Sequence, residues 1–119
     1  MNFNSILIGS EDPQRLVGYY TKVLGEPGFS DSTYTGWMIG SGFVTVGPHS
    51  EVKGPNAQPG RIIWNIESQD VQGDFERFKA AGATVVTEPY SFGGAPGLSI
   101  ATFADPDGNY FQLLSPIAM

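Results

Sequence analysis

A short apolar run, a helix opened by aspartate and closed near glycine, and a set of further short strands occur twice along this chain. That repeat restricts it to folds made from two copies of one small unit. The first helix begins at Asp12-Pro13, a capping carboxylate followed by a residue preset for the first helical position. Leu16, Tyr19, Tyr20, Val23 and Leu24 then fall on one helical face, and Gly25 is the expected stop. The second helix begins at Asp70 and places Val71, Phe75 and Phe78 on one face; Gln72, Asp74, Glu76, Arg77 and Lys79 lie on the other, and Gly82 ends it.

Strand-like runs precede both helices, Phe3 to Gly9 and Arg61 to Glu67. After the first helix come strands at about 34–40 and 43–48, around the turn Gly40-Ser41-Gly42, with a weaker one near Phe29. After the second come strands at about 83–87, 98–104 and 110–115, the last two joined by Asp105-Pro106-Asp107-Gly108-Asn109. The polar stretch from His49 to Gly60 reads as a linker. The pattern predicts an α+β chain of two βαβββ modules. Residues 1–119 form one domain: module one at about 1–48, the linker at about 49–60, and module two at about 61–119. A plain α+β sandwich without internal pseudo-symmetry is the alternative.

Composition narrows the function. The 119 residues are 40% hydrophobic and 13% aromatic, enough for a packed core. A formal charge of −6, with no Lys/Arg cluster to offset it, opposes binding to nucleic acid. The absence of cysteine removes disulfides, thiolate metal sites and a thiol nucleophile. No basic leader, signal-length apolar segment or membrane-length run is evident, so the expectation is a cytoplasmic protein with no membrane association.

Several motifs in order carry a family resemblance: Tyr19-Tyr20-Thr21-Lys22-Val23-Leu24-Gly25, Asp70-Val71, Ala80-Ala81-Gly82-Ala83, Glu88-Pro89-Tyr90, and Asp105 to Asn109 leading into Tyr110-Phe111-Gln112-Leu113. Taken together, the chain resembles the vicinal oxygen chelate proteins, the superfamily of glyoxalases, bleomycin-resistance proteins and extradiol dioxygenases. The resemblance spans essentially the whole chain, and the DPDGN turn before an apolar strand is its most specific part. It implies half-open sheet cups with helices on the outer face, paired in a homodimer.

Metal enzymes of that superfamily hold a divalent cation through His or Gln and Glu at four strand positions, leaving coordination sites open to a substrate's neighbouring oxygens. Carried over one at a time, those positions fall on Ser5, Thr45, Ile63 and Gln112. Only Gln112 is a weak metal ligand, and the single histidine, His49, lies in the linker. No metal and no other cofactor is therefore expected. If Ser5, Ile63 and Gln112 face the cup, strand alternation places Phe3, Leu7, Asn65, Glu67, Tyr110 and Leu114 there too. It sends Ile6, Ile8, Ile62, Trp64, Ile66, Phe111 and Leu113 beneath the helices. Trp64 is then core. Trp37, Phe43 and the loop residue Phe92 are candidate ligand contacts, with core, interface and exposed-loop roles left open.

The candidate pocket thus comprises Ser5, Leu7, Trp37, Phe43, Thr45, Ile63, Asn65, Phe92, Tyr110 and Gln112. Its leading function is to bind a small, partly aromatic molecule without a metal. The competing function is an enzyme (lyase, isomerase or dioxygenase-like), metal-independent with Glu67 or Glu88 as acid/base, or with an atypical metal shell. A third reading is a partner-binding or purely structural dimer. Asp105 and Asp107 are explained by turn formation, and no phosphate loop or nucleophile elbow is present.

Overall fold

A computed structural model describes residues 1–91 and 97–117 of the chain. It divides into two compact units, Met1–Pro55 and Asn56–Met119, each a four-stranded mixed sheet carrying one helix. The first contains β1 (Ser5–Ser10), α1 (Pro13–Leu24), β2 (Phe29–Ser30), β3 (Thr35–Ile39) and β4 (Gly42–Pro48), in sheet order β1-β4-β3-β2. The second contains β5 (Trp64–Glu67), α2 (Val71–Ala80), β6 (Thr84–Ser91), β7 (Ser99–Ala104) and β8 (Tyr110–Leu114), in order β5-β8-β7-β6. In each, the first strand runs parallel to the last and all other pairs are antiparallel. A parallel pair needs a long crossover, and the helix supplies it. The two βαβββ modules therefore share one topology, each an open sheet with a helix on one face.

Alternation in the last strand of each module decides which face the helix covers. In β4, Val44 and Val46 are buried while Phe43 and Thr45 are half-exposed; in β8, Phe111 and Leu113 are buried while Tyr110 and Gln112 are half-exposed. The core of the first unit joins Leu16, Tyr20 and Val23 of α1 to Ile8, Val44 and Val46. That of the second joins Val71, Phe75 and Phe78 of α2 to Phe103, Phe111 and Leu113. Ring stacking continues from Phe75 to Phe103 (5.5 Å), Phe111 (5.4 Å) and Trp64 (5.3 Å), adding directional contacts to the burial.

The helix starts repeat in a detail beyond the capping aspartates. Ser10 and Ser68, each two residues before its aspartate and each buried, accept the backbone N–H of Asp12 (3.0 Å) and Asp70 (3.1 Å). Ser68 also donates to Asp74 at 2.6 Å. Asp70 caps α2 by accepting from the Gly73 N–H, but the Asp12 side chain makes no capping bond, contrary to expectation. Pro13 has no N–H, so α1 has one fewer orphan donor to satisfy. Gly25 and Gly82 end the helices with φ of 96° and 105°, a region costly for any residue with a Cβ.

Three boundaries differ from expectation by two residues or more. Strand β1 begins at Ser5, and Phe3, expected within it on the cup side, precedes it and is 82% exposed. Arg61 closes a 3-10 turn, Pro59–Arg61, rather than beginning a strand. Ile62 then precedes β5 and is 80% exposed instead of packing beneath α2. Strand β6 runs on to Ser91, past the expected end near residue 87. The 49–60 stretch contributes to both units. Val52 donates its N–H to the His49 carbonyl and packs against Gly9, while Asn56 donates its N–H to the Asp107 carbonyl (2.8 Å) and its side-chain amide to Asn109 (3.0 Å). Asp105 accepts from the N–H groups of Asp107 and Asn109, so the DPDGN aspartate is a turn-former.

Ser68→Ala should lower stability by about 1–2 kcal/mol in urea melts, because it strands the Asp70 N–H and removes the Asp74 bond. Asp12→Ala, which loses no capping bond, should stay within about 0.5 kcal/mol of wild type.

Candidate functional site

The face of the first sheet turned away from α1 is apolar and open. Strand register aligns Leu7, Thr45, Gly36 and Phe29 across β1, β4, β3 and β2, and aligns Ser5, Phe43 and Met38 in the neighbouring row. Leu7 is 52% and Met38 64% exposed, with Phe43, Thr45 and Ser5 half-buried between them. Gly36 and Gly47 leave room on this face for two rings: the Phe29 ring occupies the space a Cβ at Gly36 would need, and the Tyr34 ring does the same over Gly47. Phe29 and Phe43 meet edge to face, centroids 6.4 Å apart. Tyr34 is held by a local turn in which Asp31 Oδ1 accepts the N–H of Tyr34 (2.7 Å) and Thr33 (2.8 Å). Those two backbone donors, Tyr34 first, hold the Asp31 carboxyl below its ordinary pKa.

The corresponding face of the second sheet is mixed, with one polar row and one largely apolar row. Asn65, Gln112, Thr102 and Thr87 align across β5, β8, β7 and β6, and the Gln112 amide donates to Thr102 Oγ1 at 3.0 Å. The next row holds Glu67, Leu114, Ile100 and Tyr90. Ile63 precedes β5 and is half-buried, and Tyr110 opens β8 opposite Ala104. Both Glu67 and Glu88 are exposed.

These sheets have relatives. The sequence profile of the glyoxalase-like domain matches residues 5–114, nearly the whole chain. The protein belongs to the glyoxalase-like domain family. That places it in the vicinal oxygen chelate superfamily. Solved structures share its fold. A glyoxalase/bleomycin resistance protein/dioxygenase family enzyme from Burkholderia phytofirmans PsJN superposes with a TM-score of 0.73 at 19% identity, covering 96% of this chain and 98% of that one. A glyoxalase-related enzyme from Fulvimarina pelagi gives 0.72 at 18%, covering 98% and 92%. TioX from Micromonospora sp. ML1 gives 0.71 at 21%, covering 98% and 100%. At such identities the likeness concerns the fold. No protein of curated function matches.

Within this glyoxalase-like frame, the four positions carried over from the superfamily's metal enzymes hold two hydroxyls, an isoleucine and an amide already bonded to Thr102. Their placement is the same in both modules. Ser5 lies two residues before Leu7, which pairs with Thr45, and Ile63 lies two before Asn65, which pairs with Gln112. Among the described residues, no three His, Cys, Asp or Glu side chains come together. His49 is exposed just beyond β4, its Nδ1 accepting the Glu51 N–H at 3.2 Å.

One expected contact is corrected. Trp37 does not face the open side of the sheet. It pairs with Val44, is 2% exposed, packs 6.1 Å from the Tyr20 ring and donates Nε1–H to the Gly25 carbonyl at 2.8 Å. It is a core residue that ties β3 to the end of α1. Trp64, on the helix-facing side as expected, is only half-buried. Phe92 lies outside the described residues. Sequence reasoning also passed over Phe29, Tyr34, Met38 and Thr102. The in-strand glycines Gly36 and Gly47 were the available signal for the first two, since glycine inside a strand marks a close approach.

Trp37→Ala should therefore destabilise the fold by about 3–5 kcal/mol, the usual cost of emptying an aromatic core position. Acrylamide should quench Trp64 more than Trp37. Fluorescence of the two single-tryptophan variants, Trp37→Phe and Trp64→Phe, checks the second point, and urea melts the first.

Proposed function

We propose that this glyoxalase-like protein binds a small, partly aromatic molecule on the open face of its sheets, without the metal of the superfamily's enzymes. The observation that carries the reading is the face of the first unit, which holds Leu7, Phe29, Tyr34, Met38 and Phe43 together with Ser5 and Thr45. Leaving such side chains exposed is unfavourable by roughly 25 cal/mol per Å² of apolar surface, and a contiguous exposed apolar patch is the usual mark of a binding site. Ser5 and Thr45 would orient a ligand by hydrogen bonds, and the rings would stack or meet it edge-on. The open face of the second unit, taken by itself, carries the amides of Asn65 and Gln112 as hydrogen-bonding groups for a polar ligand.

The residues at the four mapped metal positions do not fit a divalent cation. A catalytic zinc site takes three protein ligands from imidazole, carboxylate or thiolate groups, and Ser5, Thr45 and Ile63 supply none. An enzymatic reading draws on Glu67, an exposed strand carboxylate beside Asn65 and the Gln112–Thr102 pair. It would act as a general base on a ligand already held there. We place the protein in the cytoplasm and read it as a homodimer, which sedimentation at micromolar concentration would test.

A thermal-shift screen of planar aromatic compounds should yield ligands that raise Tm, and Phe43→Ala should weaken them by about 1–3 kcal/mol. A screen without a single stabilising compound would remove this reading. Zinc, nickel or manganese added to chelator-treated protein should leave Tm unchanged. One equivalent of tightly held metal, lost on Gln112→Ala, would overturn the metal-independent part.

A further inference from the structure

We propose that the open face of the first unit selects planar aromatic cations over anions, an inference that rests on the aromatic-ligand function above and narrows its ligand class. The chain's six Lys and Arg residues are segregated from the sheets. Arg15 and Lys22 lie on α1, Arg77 and Lys79 on α2, and Lys53 and Arg61 between β4 and β5. Among the described residues, no strand in either unit carries Lys, Arg or His, and the only charged strand residues are Glu67 and Glu88. Strands β1 to β4 carry no charge at all.

An anionic ligand on this face would lose its hydration and find no cationic partner, and the interior strand N–H groups are already committed to the ladders. A cation loses hydration as well, but it meets three ring systems, Phe29, Phe43 and Tyr34, whose negative faces attract positive charge. The hydroxyls of Ser5 and Thr45 add acceptors. The wider field acts in the same direction. A net charge of −6 concentrates cations near the surface, and the carboxylate of Asp31, in the turn that holds Tyr34, is kept below its ordinary pKa by the Tyr34 and Thr33 N–H groups.

The test uses the full chain and three probes with one ring skeleton: N-methylacridinium, acridine at a pH where it is neutral, and acridine-9-carboxylate. Each is titrated by fluorescence anisotropy at low and high salt. The cation should bind at least about tenfold more tightly than the carboxylate, a gap of the size a partly desolvated cation–π contact gives, and salt should narrow the gap. Met38→Lys, at an exposed position, should abolish the preference while circular dichroism shows an intact fold. Phe43→Ala should weaken all three probes.

Equal affinities, or tightest binding of the carboxylate, would overturn the charge selection and leave the aromatic-ligand function standing. So would a cation preference untouched by both variants, which would place the binding elsewhere. Failure of every acridine to bind also overturns the selection. The broader function falls with it only if the screen of uncharged and charged aromatics is blank as well.

Discussion

The alternation of β4 and β8 is the constraint on which the rest of the structure depends. Each of these strands lies between the parallel first strand and an antiparallel neighbour, so its register is fixed from both sides. With period two, moving either strand by one residue would send Val44 and Val46, or Phe111 and Leu113, to the open face and bring Thr45 or Gln112 beneath a helix. Burying an amide against Phe75 and Phe78 without a partner costs about 1–3 kcal/mol, before the loss of two apolar contacts is added. The helices therefore choose the register, and the register chooses which residues the open face presents.

The units show how much of this can be read in advance. Both helices, the order of strands and the DPDGN turn follow from spacing and turn chemistry, since local signals of several residues reinforce one another there. Trp37 was open because its face depends on a single residue of turn length. A three-residue turn over Gly40-Ser41-Gly42 would oppose Trp37 to Thr45, on the open side. The structure instead turns on Gly40-Ser41 alone, pairing Ile39 with Gly42 and Trp37 with Val44. Gly40, at φ 60°, is the glycine such a two-residue hairpin favours at its first position. The core also wanted this outcome: an indole beneath α1 reaches the Gly25 carbonyl, one of the groups left over where the helix ends. Ile62 was misplaced for the opposite reason, because an apolar residue in a β-like run precedes the strand here and nothing packs over it.

Rings on glycine account for the part of the site that spacing could not supply. Phe29 belongs to a two-residue strand and Tyr34 to a loop, and neither has a periodicity that assigns it a face. Their positions are set by absences on other strands: a methyl group at Gly36 or Gly47 would displace the ring that covers it. The open face of the first unit is thus built from β1, β4 and Met38 of β3, read by alternation and register, and two aromatics read only through the glycines beneath them.

The two modules then separate what the fold requires from what the site requires. They share the crossover helix, the serine two residues before the aspartate that opens it and the pairing of equivalent strand positions, down to Leu7 with Thr45 and Asn65 with Gln112. On the helix-facing side both present apolar residues. On the open side they diverge: the first is uncharged and rich in aromatic and aliphatic groups, while the second sets an amide and hydroxyl row beside one that holds Glu67, Leu114, Ile100 and Tyr90. Divergence is confined to that side because core packing does not test it: a strand residue pointing away from the helix can change chemistry while its two neighbours keep the sheet in register. A superfamily position that holds a metal ligand in one protein can therefore become Ser5 or Ile63 in another with little consequence for folding, and function has to be read from those side chains rather than from the frame that carries them.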